Sequence, residues 1–287
     1  MRVQAPAKLN LCLFLGPRRE DGLHELCSLF EPLALADEIE VSEAERDEVL
    51  CPGVEGENLA ARALAALRES GWEAPPLRIE IEKRIPVAAG LGGGSADAAA
   101  VLRLAERGAF LVDSTRKAPE VDLPALAARL GADVPSQLTP ALALVRGAGE
   151  RVERLPDPEP HAVVLLSGGG GLSTAEVFAE ADRLGLGRSE GELDGLAAEL
   201  RVAAGSGASP LAYAELLAND LEPAARSLRP QIGEALDALR ATGAPLAFMS
   251  GSGPTVVGVF RSLARSKSAA AEIGREDAIV CAAGRFP

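Results

Sequence analysis

Aromatic side chains are scarce in this chain: its 287 residues include 7 Phe, one Trp and one Tyr, so an aromatic beside any candidate site carries unusual weight. Clustered cations are missing as well. No run of Lys or Arg occurs, and the formal net charge is −13, which excludes nonspecific attachment to DNA, RNA or an anionic membrane surface. No apolar run approaches the ~18 residues of a membrane span. The N-terminus has no charged-then-apolar leader ending in a small-residue cleavage site, so the expectation is a cytoplasmic chain. Histidine occurs at two positions and cysteine at four. Cys12, Cys27, Cys51 and Cys281 stand far apart, with no C-x-x-C pair and no histidine at ligand spacing. They read as small buried apolar residues in a reducing compartment rather than as a metal site.

Glycine, by contrast, is plentiful, with 30 residues, and it is concentrated at one point. Gly90, Gly92, Gly93 and Gly94 follow a strand-like alternation at 77–82. After them Ala98, Val101, Leu102 and Ala105 recur at helical spacing. Strand, glycines and helix in that order make a phosphate cradle. Without Cβ atoms the backbone N–H groups turn inward onto an oxyanion, and the helix N-terminus adds partial positive charge. A flexible glycine loop is the alternative. No Gly-Lys-Ser/Thr closes the stretch and no lysine lies within it, so the usual P-loop is excluded, and the dinucleotide fingerprint fails too. A chain this acidic repels phosphate at long range. Such a site must therefore draw its compensation locally, from backbone N–H groups, a lysine and a divalent cation.

The length allows two modest domains or one large one. The acidic, proline-rich 156–160 predicts a boundary, giving segments 1–157 and 158–287. Residues 3–15 alternate, placing Leu9, Leu11, Leu13 and Leu15 on one face and Lys8 with Asn10 on the other, either as a solvated edge or as a working surface. A polar turn at 18–26 carries His24 and leads into an apolar run to Phe30; 37–42 reads as a separate strand. Asn58 fits the N-cap of a helix over 59–70, and Asp122 that of a helix ending at Gly131. Asp133, between that glycine and Pro135, is expected in an extended, fixed position, as a turn-former or as a functional carboxylate. Residues 108–119 read as a surface connection. A hairpin flanks 147–149, and a strand begins at His161, taken as structural. Ser173 or Thr174 caps a helix bearing Phe178. Residues 185–209 read as a helix set between flexible Gly/Ser-rich segments, 231–242 form a helix, and 247–260 form strand, glycine turn and strand. A last helix and a strand at 278–282 complete an α+β second half.

The stretch Pro-x-x-x-Gly-Leu-Gly-Gly-Gly-Ser at 86–95 resembles the phosphate loop of the GHMP kinases. Pro-Ala-Lys-Leu-Asn-Leu at 6–11 and the glycine turn at 250–254 resemble that family's first and third motifs, so the resemblance spans nearly the whole chain. It implies an α+β fold of two domains, the N-terminal one ribosomal S5 domain 2-like and the C-terminal one a ferredoxin-like α/β sandwich. It also implies an ATP-dependent phosphotransferase using Mg²⁺. Lys8 and Asp133 correspond to the catalytic pair, the latter within Leu-Gly-Ala-Asp-Val-Pro. Pro86, Val87, Ala88, Ala89, Gly90, Leu91, Gly92, Gly93, Gly94, Ser95 and Ala96 correspond to the ATP loop, with Asn58 beside the adenine and Ser95 toward the metal. Asn10, His24, Thr174 and Phe178 correspond to acceptor-binding positions. The segment Asp-Gly-x-His-Glu and the Ser-Thr-x-x-x-Phe helix start point to a cytidyl-diphospho polyol acceptor rather than mevalonate, homoserine or a sugar. A non-catalytic nucleotide-binding member is the remaining alternative. The sequence departs from the family pattern at Leu23, where an aromatic is usual, and at Ala88, Ala96, Ser136 and Gln137. The expected partners are small molecules alone, for a monomer or weak homodimer.

Overall fold

The computed structural model describes residues 1–54, 56–106 and 121–284. The surface connection expected at 108–119 lies outside the described residues. The chain divides into two compact units that are interleaved in sequence. Unit 1 holds 1–7, 35–87 and 92–140, and unit 2 holds 8–34, 88–91 and 141–287, whereas the boundary expected at 157/158 is one between contiguous segments. Two long strands, β1 (Arg2–Arg18) and β2 (His24–Glu43), contribute to both units.

In unit 1, β3 (Glu48–Leu50) lies beside β4 (Leu77–Glu82). β4 pairs antiparallel with β2 from Glu38↔Glu82 to Glu43↔Leu77, and β3 pairs parallel to β4. Leu77, Ile79 and Ile81 of β4 are buried while Arg78, Glu80 and Glu82 are exposed, the half-buried alternation read from the sequence. Over this sheet lie α1 (Leu59–Glu69), α2 (Gly93–Glu106), α3 (Leu123–Leu130) and the single turn α4 (Val134–Gln137). Asn58 caps α1 by accepting from the Ala60 N–H at 2.8 Å, and Asp122 caps α3 by accepting from Ala125 at 3.0 Å. One core forms from Leu64, Leu67 and Trp72, the β4 aliphatics, and the small residues Ala98 to Val101 of α2, whose short side chains let helix and sheet backbones come close.

Unit 2 contains the hairpin β5 (Ala143–Gly147) and β6 (Arg151–Arg154), with β5 antiparallel to β2 from Leu26↔Gly147 to Phe30↔Ala143. Its second half is an antiparallel run ordered β10 (Ile279–Ala283), β7 (His161–Ser167), β9 (Thr255–Phe260), β8 (Leu246–Met249). The helices are α5 (Thr174–Leu184), α6 (Glu190–Gly205), α7 (Glu222–Leu228), α8 (Gln231–Ala241) and α9 (Leu263–Ile273). Leu13, Val164, Val177, Ile232, Leu236, Val256 and Phe260 are among the residues of their shared core.

Two expectations are corrected. The turn-to-strand run ending at Phe30 and the strand at 37–42 are one element, β2, continuous through Pro32. Proline is tolerated there because β5 pairing stops at Phe30 and the β10 bridge falls at Leu33, so the missing N–H is not needed. Lys8 and Asn10 are not on a solvated edge: they are 5 % and 3 % exposed, in a stretch of β1 buried on both faces. All four cysteines are free; Cys12 and Cys27 are buried, Cys51 and Cys281 half-buried.

His161 is structural, as expected. Its Nδ1 donates to the Glu159 carbonyl at 3.0 Å and its Nε2 faces the Glu31 carboxylate at 3.2 Å, both side chains being wholly inaccessible. Both ring nitrogens meet acceptors, which only the imidazolium can satisfy. Burial disfavours that charge, but Glu31 outweighs it and holds the His161 pKa above its ordinary value. A raised histidine contributes stability that is present below its unfolded pKa and is lost as pH rises through the folded value. His161→Gln is therefore expected to destabilise by about 3 kcal/mol at pH 6, the scale for breaking a buried pair, and by clearly less at pH 9. Urea midpoints of both proteins at the two pH values check this; equal differences would remove the charge from the account.

Candidate active site

The glycine stretch departs from β4 through Lys83 to Ile85 and enters α2 at Gly93. Ala88, Gly90 and Gly92 have φ of 55°, 75° and 69°, so every second residue is left-handed. Alternation of this kind turns successive N–H groups toward one side, forming an anion nest that leads into the helix start, whose first N–H groups have no intrahelical partner. Ala88 adopts a conformation that costs an L-residue about 1–2 kcal/mol and glycine nothing. Pro86, Val87 and Ala88 are exposed, Ala89, Gly92, Gly93 and Ser95 half-buried, and Leu91 and Ala96 buried.

Within unit 2 the middle of this loop is fixed from two directions. The Lys8 N–H donates to the Leu91 carbonyl at 2.9 Å. On the other side the 250–254 turn approaches so closely that a Cβ on Gly90 would stand 2.7 Å from the Gly253 carbonyl oxygen. The third motif thus packs on the glycine loop. The turn is braced in its own right: Asn219 Nδ2 donates to the carbonyls of Met249 and Gly251 at 2.7 and 2.8 Å. Next to Asn219, Asp220 accepts from the Leu15 N–H of β1 and takes both arms of Arg188.

Asn10 is the hub of the same region. Its Oδ1 accepts from Lys8 Nζ at 2.6 Å, its Nδ2 donates to Ser28 Oγ at 3.0 Å, and its N–H donates to Ser250 Oγ at 3.0 Å. Ser28 in turn donates to the Cys12 carbonyl at 2.5 Å. Lys8 Nζ also lies 4.4 Å from the centroid of Phe30, a cation–π contact. A buried ammonium is therefore oriented by an amide and an aromatic face. Ser28 and Ser250 escaped sequence reasoning because nothing local marks them; both are fully buried polar residues whose partners are distant in sequence.

Asp133 belongs to unit 1, and its backbone corrects an expectation. With φ −86° and ψ −16° it is helical rather than extended, because Pro135 occupies the first turn of α4, where its missing N–H costs nothing. The turn is secured by Ser136, whose hydroxyl donates to the Asp133 carbonyl at 2.8 Å, and by Arg103 of α2, which donates to the Gln137 carbonyl at 2.5 Å. Of the two departures, Ser136 braces the segment that carries the aspartate through its side chain, whereas Gln137 contributes only a backbone carbonyl that any residue there would offer.

Also in unit 1, and not foreseen, a buried Asp37–Lys83–Asp97 group forms just after β4. Lys83 Nζ donates to Asp97 Oδ2 at 2.8 Å and to Asp37, and Asp37 Oδ1 accepts from the N–H groups of Arg84 and Ile85 at 2.6 and 2.8 Å. Burial pushes the Asp97 carboxyl up to about 7 against the pull of Lys83, since two carboxylates share one ammonium. The sequence signal was Asp97 itself, a charge within an alanine-rich helix start.

The acceptor-binding candidates of unit 2 also come together. Thr174, Phe178 and Asp182 recur every fourth residue on α5 and so share one face. Thr174 Oγ1 is 2.9 Å from Ser252 Oγ of the glycine turn, with Ser173 as the cap of α5. The Phe178 ring centroid lies 5.4 Å from that of His24 at an interplanar angle of 41°, and His24 Nε2 is 2.8 Å from Asp182 Oδ1. Leu23 is 53 % exposed. Asp182 was missed, although its spacing from Phe178 marked it.

The family model for the GHMP kinases N terminal domain matches residues 58–140, and that for the GHMP kinases C terminal matches 196–278. A protein of Mycolicibacterium gilvum (strain PYR-GCK), named 4-diphosphocytidyl-2-C-methyl-D-erythritol kinase, is 41% identical over 286 residues, covering 96% of this chain and 85% of that one. This chain belongs to the GHMP kinases. Among solved structures, that of a 4-(cytidine 5'-diphospho)-2C-methyl-D-erythritol kinase superposes with a TM-score of 0.80 at 36% identity, with 100% of each chain covered. A homoserine kinase from Cytophaga hutchinsonii reaches a TM-score of 0.68 at 17% identity, covering 100% of this chain and 94% of its own, a likeness of fold alone. The α+β fold is that of a GHMP kinase, and among the described residues no helix is long and apolar enough to cross a membrane.

For a GHMP kinase the approach at Gly90 should be indispensable. Gly90→Ala combines a left-handed φ with a backbone clash that no side-chain movement relieves. At 1–3 kcal/mol of strain, ATP affinity is expected to fall ~10-fold or more. Equilibrium titration with ATP, beside a thermal melt confirming the fold, checks this; unchanged affinity would mean that the loop does not hold the nucleotide.

Proposed function

We infer that this chain is an ATP-dependent kinase that phosphorylates the 2-hydroxyl of 4-diphosphocytidyl-2-C-methyl-D-erythritol, a step in the methylerythritol phosphate route to isoprenoid precursors. The similarity to kinases of that name over nearly the whole chain carries the reading. The grouping of His24, Phe178 and Thr174 supports it from the side of the acceptor. Kinases acting on mevalonate, homoserine or a sugar share the fold, but the Asp-Gly-x-His-Glu segment with the triple glycine distinguishes this chain from them. Retention of Lys8 and Asp133 argues against a non-catalytic member.

In this proposal Pro86 to Ala96 cradle the phosphates through backbone N–H groups and the α2 N-terminus, with the Asn58 side chain beside the adenine. Asp133 orients the acceptor hydroxyl and takes its proton; that oxygen attacks the γ-phosphorus, and the bond to the β-phosphate oxygen breaks to release ADP. Lys8, held by Asn10, supplies positive charge at the acceptor oxygen. Asn10 and Thr174 contact the acceptor, and Phe178 stacks on its cytosine beside His24. Segment 1–157 is the N-terminal ATP-binding domain and 158–287 the C-terminal domain of this proposal, in a cytoplasmic monomer or weak homodimer.

Magnesium belongs to the proposal as well. Ser95 is the only residue from Pro86 to Ala96 with a side-chain oxygen, and the nearby Asp97 carboxylate is buried against Lys83. The residues fit a cation held chiefly by the phosphates of the nucleotide with Ser95 as a protein ligand, as Mg²⁺ prefers. Bound there, it would neutralise charge on the transferring group.

ADP release measured against a panel of the cytidyl acceptor, mevalonate, homoserine and galactose is expected to show turnover with the first alone; equal rates across the panel would sink the assignment. Asp133→Asn should keep its fold and ATP binding yet lose ~10²-fold or more in kcat, the scale of a general base. A full rate in the folded variant would return Asp133 to a turn-forming role.

A further inference from the structure

We propose that Asp182 is a positioning residue that makes the acceptor site choose cytosine over uracil: by accepting from His24 Nε2, it leaves the opposite ring nitrogen, Nδ1, as an acceptor for the exocyclic amine of cytosine. The inference rests on the functional reading above and deepens it.

A carboxylate has no proton to give, so at 2.8 Å the His24 Nε2 must be the donor. In the neutral imidazole this assigns the proton to Nε2 and leaves a lone pair on Nδ1. Among the described residues no protein group hydrogen-bonds that nitrogen, while the side chain is only 8 % exposed and the Phe178 ring lies against it. The ring is therefore fixed in place and carries one unused acceptor beside the aromatic expected to stack on the base. Cytosine presents an N–H donor at its 4-position, where uracil presents a carbonyl oxygen. A lone pair directed there bonds the first and repels the second. The preceding residue cannot supply this orientation, because Leu23 projects into solvent. Asp182 can, since the buried Val177 and Ala181 anchor α5 along one side of the stripe that carries it.

The test uses the full chain, ATP, the cytidyl-diphospho acceptor and its uridyl counterpart. Asp182 is solvent-accessible, so its variants should fold. For Asp182→Ala, KM for the cytidyl acceptor is expected to rise ~10-fold with kcat within about twofold, and the cytidyl-to-uridyl ratio of kcat/KM to fall ~10-fold, the scale of one hydrogen bond. Asp182→Asn, which retains an acceptor oxygen, should stay within ~3-fold of the parent. A ¹⁵N spectrum of the histidine rings, assigned with His24→Gln, should show His24 protonated at Nε2 in the parent and as a tautomer mixture in Asp182→Ala. An unchanged base preference in Asp182→Ala, or a parent ring protonated at Nδ1, overturns the inference. A parent that does not phosphorylate the cytidyl acceptor at all would instead overturn the functional reading, and the spectrum would still decide the tautomer.

Discussion

No side chain fits between Gly90 and the carbonyl of Gly253, and the phosphate loop of this kinase depends on that absence. The contact joins two glycine-bearing turns more than 150 residues apart in sequence, and both backbones bend through left-handed conformations to make it. Close packing of backbone on backbone leaves neither turn free to drift, so the N–H groups of the loop are held in place by the fold itself. The same 250–254 turn reaches Asn10 at Gly251 and Ser250, and through Asn10 the Lys8 ammonium. A single constraint thus places both a stretch of backbone donors and a cation.

The acidity of the chain makes that local arrangement necessary. With a net charge of −13, the protein as a whole repels nucleotides and phosphorylated acceptors. Positive potential comes from oriented dipoles and from a few enclosed cations rather than from a basic surface. Lys8 is buried against an aromatic face and an amide oxygen. Lys83 lies between two carboxylates, and its charge is spent on ordering the entrance to the loop through Asp37. The two lysines are chemically alike, and their roles follow from their neighbours.

Most elements were legible because their signals are local. Alternation over 77–82 describes β4, Asn58 and Asp122 cap the helices they precede, and the glycines lie between a strand and a helix. Pro32 hid the continuity of β2, since a proline is compatible with a strand only where its neighbours do not require its N–H, and that depends on strands far away in sequence. Asp133 was misjudged in conformation for a related reason. Pro135 restricts the residue immediately before it, but a helix can begin on a proline, and the braces from Arg103 and Ser136 make it do so.

By itself the sequence determined the fold class, the glycine loop between strand and helix, the pair Lys8 and Asp133 as candidates, and the helix that carries Phe178. Each is a pattern of residue types over a few positions, and local sterics and periodicity suffice to read it. Tertiary structure alone decided that Lys8 and Asn10 are buried, that Asp97 shares Lys83 with Asp37, that Ser28 and Ser250 complete the Asn10 hub, and that Asp182 holds His24. Those facts rest on hydrogen bonds and desolvation between residues up to 240 positions apart. No local propensity encodes such pairings, because their energy exists only once the folded chain has excluded water around them.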